Sequence, residues 1–248
     1  MKHVSAGLSF LLLGSLLYAA DFWTQKPFEK WSASECHDML RNSPWSKTHK
    51  FQGTTIQQRT SAGDFEANTI TPNITYYVSF RSATPVRQAV ARLARLDAKY
   101  DKLDDAGKQA LDAKLKKYLE ATFPDKIIVQ VTYSSNIEDI DRQLAYYWQT
   151  QTRESLKGTV YLSGPDGEHV EPIQYYGGTG AEREIQFAFP RNPQAAAGNA
   201  ATPLAFEFRH PNISEKSSNV TGTPVRQTTR VYLKFDTAEM RFQGATSY

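Results

Sequence analysis

The sequence predicts an α+β fold: an N-terminal aromatic segment with a short helix, a helical hairpin, and an antiparallel β-sheet in the C-terminal half. Three observations carry that expectation. Apolar residues recur at helical spacing over 84–119 and 137–151. After residue 157 the apolar stretches are short, strand-like and rich in β-branched and aromatic residues. Gly- and Pro-containing turns separate them. The chain has 248 residues, enough for one domain with a proper core. Residues 21–248 are read as a single α+β domain, with a sub-division into a mixed helical part (21–151) and a β part (157–248) left open.

Residues 1–20 read as a secretory signal. Lys2 and His3 precede an apolar run from Ala6 to Leu17, and small residues Ala19 and Ala20 end it before Asp21. A run of that length is too short for a bilayer, which needs about 20 residues. No transmembrane span is expected once it is removed. Asp21–Trp31 is aromatic and reads as extended. Ser32-Ala33-Ser34-Glu35 is a capping box, and the helix it opens puts Cys36, Met39 and Leu40 on one face. Asn42-Ser43-Pro44 stops it. Trp45 joins Phe22, Trp23, Phe28 and Trp31 in an aromatic seam that docks this helix on the body.

Strands are expected within 48–59 and 64–82, most clearly Ile74–Arg81. Thr84-Pro85 opens a helix, with Pro85 at the first helical position. Ala89, Val90, Leu93, Leu96, Tyr100 and Leu103 keep its spacing until Asp104-Asp105-Ala106-Gly107 breaks it. A second helix carries Leu111, Leu115, Tyr118 and Leu119. Lys126–Tyr133 is the clearest strand, and 137–151 returns to helical spacing. Gly158–Ser163 and His169–Tyr176 are expected to form a hairpin across the Gly164–Gly167 turn. Gly177–Gly180 turns into a strand at Glu184–Phe189. Pro190–Pro203 reads as a low-complexity insertion. Leu204–Arg209, Arg230–Phe235 and Met240–Gln243 complete the strands.

Phe22-Trp23-x-x-Lys26-Pro27-Phe28-x-x-Trp31-Ser32-x-x-Glu35-x-x-x-Met39-Leu40-x-x-Ser43-Pro44-Trp45 resembles the mature start of a group of uncharacterised secreted bacterial proteins. Arg81–Ala89 and Phe187–Arg191 are similar to further segments of that group. The resemblance implies bacterial export, periplasmic or extracellular. The group has no known activity or site, so it carries over no functional residue.

Composition excludes several chemistries. One Cys allows neither an internal disulfide nor a Cys-based zinc cluster. A formal net charge of +3 provides no strong basic field, so no nucleic-acid partner is expected. Cys36-His37 cannot form a dyad alone, because neighbouring helical side chains point about 100° apart; Cys36 reads as a buried thiol. His169 and Glu171 share one side of a strand, but nothing ties His49 or His210 to them, so no metal site is assigned. Gly177–Gly180 leads into a strand rather than a helix N-terminus and is not a phosphate cradle. Glu138, Asp139 and Asp141 suit the start of a helix. No catalytic residue and no cofactor is assigned.

Adjacent aromatics give the one hint of binding. Tyr76-Tyr77, Tyr146-Tyr147-Trp148 and Tyr175-Tyr176 each place a ring outward if they lie in strands. Tyr146, Trp148, Tyr175 and Tyr176 are therefore the candidate contacts for a glycan or a protein partner. The expectation is an exported, non-catalytic protein that binds or scaffolds in the periplasm or cell envelope. An exported hydrolase of unrecognised type is the alternative.

Overall fold

A computed structural model describes residues 21–52, 56–58, 68–164, 167–178, 183–191, 203–211, 220–221 and 230–248. Residues 1–20, expected to be a secretory signal, and most of the Pro190–Pro203 segment lie outside the described residues. No helix among the described residues is long and apolar enough to cross a membrane.

The N-terminal segment is not extended. It forms two short turns, α1 (Phe22–Gln25) and a 3-10 turn (Phe28–Lys30). A strand would send Phe22 and Trp23 to opposite sides, whereas a helical turn lets both reach one seam. Their rings meet edge to face at 5.0 Å, and Phe22 meets Trp31 at 5.2 Å and Trp23 meets Trp45 at 5.6 Å. Trp31 and Trp45 are fully buried, as the seam requires.

The capping box opens α2 (Ala33–Arg41): Glu35 N donates to Ser32 Oγ at 3.3 Å, and Ser32 N donates to Glu35 Oε2 at 2.8 Å. Lys26 joins it at 2.7 Å and, with the Ser32 amide, holds the Glu35 carboxyl down to about 2. Cys36 and Met39 are buried on the inner face while His37 is exposed. Burial pushes the Cys36 thiol up to about 11, so at neutral pH almost none of it is thiolate. A thiol reagent should label Cys36 slowly in the native protein and rapidly in denaturant. Rapid native labelling would show instead that the helix is not docked.

Strands β1 (Ser46–Gln52), β2 (Ile56–Gln58), β3 (Asn68–Ile70) and β4 (Asn73–Phe80) follow. Helix α3 (Thr84–Asp97) has Thr84 at its first position and Pro85 at its second. It stops earlier than its apolar spacing suggests, because Lys99 adopts a left-handed conformation with φ 49°. Asp104 does not break the hairpin but caps its second arm, α4 (Asp105–Leu119), accepting from Gly107 N at 2.8 Å. Strand β5 (Lys126–Ser135) and helix α5 (Glu138–Thr150) match their expected positions.

The remaining strands are β6 (Val160–Ser163), β7 (His169–Val170), β8 (Gln174–Tyr176), β9 (Glu184–Pro190), β10 (Leu204–Arg209), β11 (Val220–Thr221), β12 (Arg230–Phe235), β13 (Arg241–Phe242) and β14 (Ala245–Thr246). All described strand pairs are antiparallel. A five-stranded sheet has the order β1-β4-β5-β9-β8, and a four-stranded sheet the order β12-β10-β6-β7. The larger sheet takes three strands from before residue 151 and two from after 157.

His169–Tyr176 is not one strand. Its first two residues pair with β6 in the smaller sheet, and its last three pair with β9 in the larger. Pro172 lies between them; it has no N–H for a ladder, so the chain leaves one sheet there and enters the other.

The two sheets face each other through their apolar sides. Tyr76 of β4 meets Phe208 of β10 at 5.0 Å, Phe187 of β9 meets Phe206 at 5.8 Å, and Phe80 meets Phe235 at 4.8 Å. Alternation along each strand then sends its other side chains away from this core. On the larger sheet α2 covers part of that outer side, with the Arg41 guanidinium 5.0 Å from the Tyr77 ring. On the smaller sheet it carries the site described next.

Candidate functional site on the four-stranded sheet

Register places Tyr161 of β6 opposite Glu207 of β10, and Glu207 opposite Tyr232 of β12. His169 faces Ser163 on β7 and β6, and Arg230 faces Arg209 on β12 and β10. All of these side chains point away from the core, because Phe206, Phe208, Val231 and Leu162 occupy the inward positions. One charged group on this face is nonetheless buried. Glu207 is 3% exposed, its carboxylate paired with Arg230 and 3.4 Å from His169 Nδ1. Tyr161 meets the His169 ring edge-on at 4.8 Å and completes its cover.

Two adjoining open cavities, of about 520 and 670 Å³, share His169, Glu207 and Arg230. The first extends to Arg209 and Tyr161, the second to Tyr232 and Lys234. The Tyr232 ring lies between two cations, 5.6 Å from the Arg230 guanidinium and 5.8 Å from the Lys234 ammonium. The arrangement can bind a polar, anionic surface. Ser163 Oγ is buried with no hydrogen-bond partner, so Ser163, His169 and Glu207 form no closed nucleophile–base–carboxylate relay.

The four aromatics expected to make contacts divide. Tyr146 is 73% and Tyr176 48% exposed. Trp148 is 1% exposed and belongs to the core, 5.7 Å from Phe208. The reason is its element: on α5 the helical period aligns Trp148 with buried Ile140 and Leu144 and turns Tyr146 outward. Tyr175 is half-buried, its ring 5.3 Å from Phe187 and its hydroxyl donating to Trp148 O at 2.5 Å. Gly177 is needed beside this contact, because a Cβ there would sit 2.5 Å from Trp148 O.

The other sequence candidates go elsewhere. Glu171 does not join His169; it accepts from Gly158 N at 3.0 Å. His210 bonds Tyr76, and the rings of His49 and His210 lie 4.5 and 4.8 Å from Phe51. Among the described residues no three His, Cys, Asp or Glu side chains group to hold a metal. Arg142 pairs with Glu138 and Asp139, whereas buried Asp141 pairs with Arg183 at 2.8 Å and burial raises its carboxyl.

Glu207, Arg230, Tyr161, Tyr232 and Lys234 were not singled out in the sequence. Alternation in Arg230-Val231-Tyr232-Leu233-Lys234 does put three of them on one face. Only the pairing of three distant strands brings Glu207 and His169 to the same place.

Fold and site together define an α+β protein whose smaller sheet displays a charged, tyrosine-lined groove. No protein-family model, curated protein or solved structure matches the chain.

Proposed function

We propose that this chain is an exported, non-catalytic protein that binds an acidic glycan in the periplasm or cell envelope, through the outer face of its four-stranded sheet. The apolar run at its N-terminus supports export. The observation that carries the binding reading is the imbalance of charge on that face. Arg209, Arg230 and Lys234 line the groove against one carboxylate, Glu207, which Arg230 already neutralises.

Arg209 and Arg230 stand directly opposite each other, where like charges repel. An anion between them would relieve that repulsion. Arg230 and Lys234 are four residues apart on one face, roughly 13 Å, so the charge is spread along a line and suits an extended polyanion. Tyr161 and Tyr232 provide rings beside it for sugar contact. The lining lacks the apolar centre of a stable protein–protein interface, which favours a glycan over a folded partner.

Titration calorimetry with polygalacturonate, against dextran as the neutral control, tests this. Binding to polygalacturonate is expected, with affinity falling steeply as salt rises. The Arg209→Gln/Lys234→Gln variant should lose at least about tenfold, as removal of charged contacts does, with an unchanged Tm. Dextran binding as tight as polygalacturonate, or an unaffected double variant, would refute the proposal. Equal affinity for polyglutamate would refute its glycan part.

A further inference from the structure

Two arginines and a tyrosine meet at the start of α3 with no carboxylate to balance them. The Arg87 side chain folds back over the first turn, donating to Ser82 O and, at 3.3 Å, to Thr84 Oγ1. It is 6% exposed and its guanidinium lies 5.5 Å from the Phe123 ring. Arg81 precedes the helix, its guanidinium 5.4 Å from the Tyr118 ring of α4. Among the described residues neither arginine makes an ion pair. Glu184 is near enough to act on the Tyr118 hydroxyl but pairs with neither.

Positive charge outweighs negative at this point, with Glu184 the one carboxylate among the described residues that acts on it. Burial and the neighbouring Arg81 both act against the charge on Arg87. The N-terminal end of a 14-residue helix adds its positive pole. A buried cation without a counter-ion is costly. Two donors here also have no acceptor: Arg87 Nε and the Tyr118 hydroxyl are both buried and unpartnered. Buried polar groups are nearly always satisfied, so a pair of orphans in one cluster of cations points to a missing acceptor.

We propose that this junction binds a small tetrahedral oxyanion, held by Arg81, Arg87 Nε and the Tyr118 hydroxyl. Such an anion is rich in acceptor oxygens, the two arginines can only donate, and the Tyr118 hydroxyl can donate to it as well. Thr84 N is already bonded to Ser247 Oγ at 3.1 Å, so side chains supply the contacts that the helix end does not. Arg81 and Tyr118 are half-buried, so the cluster lies at the edge of the core. The site is made by α3, α4 and the end of β4, and shares no residue with the groove on the four-stranded sheet.

Inorganic phosphate is the probe. Its addition should raise Tm with the logarithm of its concentration, as for any ligand that binds only the folded state. Sodium chloride at matched ionic strength should not. Arg81→Gln and Tyr118→Phe should each shift the response to phosphate concentrations about tenfold higher. Without phosphate Tyr118→Phe should be as stable as the parent or more so, because it removes a hydroxyl that bonds to nothing. Arg209→Gln/Lys234→Gln should keep the full response. A Tm indifferent to phosphate, a response unchanged in both site variants, or one lost in the sheet variant would each overturn the assignment.

Discussion

Trp45→Ala should lower the unfolding free energy by about 3–5 kcal/mol, the usual range for deleting a buried Trp. Trp45 is fully buried and stands where three parts of the chain converge. Its indole N–H donates to Ser247 O at 2.5 Å, its ring meets Trp23 of α1, and its carbonyl accepts from Phe80 N at the end of β4. The substitution leaves a cavity and also leaves Ser247 O, 202 residues away, without its partner. A loss of that size is a large share of a typical domain's stability. Trp31→Ala should behave alike: Trp31 donates to Lys26 O at 3.2 Å, and its carbonyl accepts from Arg92 Nε at 2.8 Å. Urea unfolding followed by far-UV circular dichroism measures both. If either variant unfolds at the parent's midpoint, the indole is not an anchor and the aromatic seam is not what docks α2.

Helix α2 was legible because its signals are local. Ser32 and Glu35 are three residues apart and satisfy each other wherever the helix sits, and Cys36 and Met39 share a face by spacing alone. Some departures are local, as at Asp21–Trp31, which turns where an extended segment is expected, but those that shape the site are decided at long range. His169–Tyr176 alternates like one strand, yet its two ends are claimed by partners in different sheets, and Pro172 permits the step. Tyr146-Tyr147-Trp148 looks like a surface cluster when read with a strand's period. It resolves into one exposed, one half-buried and one buried ring once the helical period of α5 is applied. Glu207 sits in Leu204–Arg209 where any solvent-facing polar residue would. Its burial depends on Tyr161, His169 and Arg230, and no spacing in the sequence relates residues 161, 169, 207 and 230.

His210 gives the fold a weakness toward mild acid. It is 9% exposed, its Nδ1 is 2.8 Å from the Tyr76 hydroxyl, and its ring lies 4.8 Å from Phe51. Burial, helped by nearby His49, brings its pKa down from 6.5 to about 4. The unfolded chain takes up the proton near pH 6.5 and the folded chain only near pH 4. Between those values the unfolded state therefore holds more protons, and stability falls as pH falls. The full shift corresponds to about 3 kcal/mol, of which about 2 should be lost between pH 7 and pH 5. Burial lowers His49 too, and its smaller contribution has the same sign. The Glu35 carboxyl, held down to about 2, acts in a separate window below pH 4.5. Urea unfolding at pH 7 and pH 5 measures the drop. His210→Gln can still hydrogen-bond Tyr76 but cannot titrate; it should start less stable at pH 7 and lose much less on going to pH 5. A parent protein equally stable at both pH values, or a His210→Gln variant with the parent's full drop, would show that the buried imidazole does not govern acid stability.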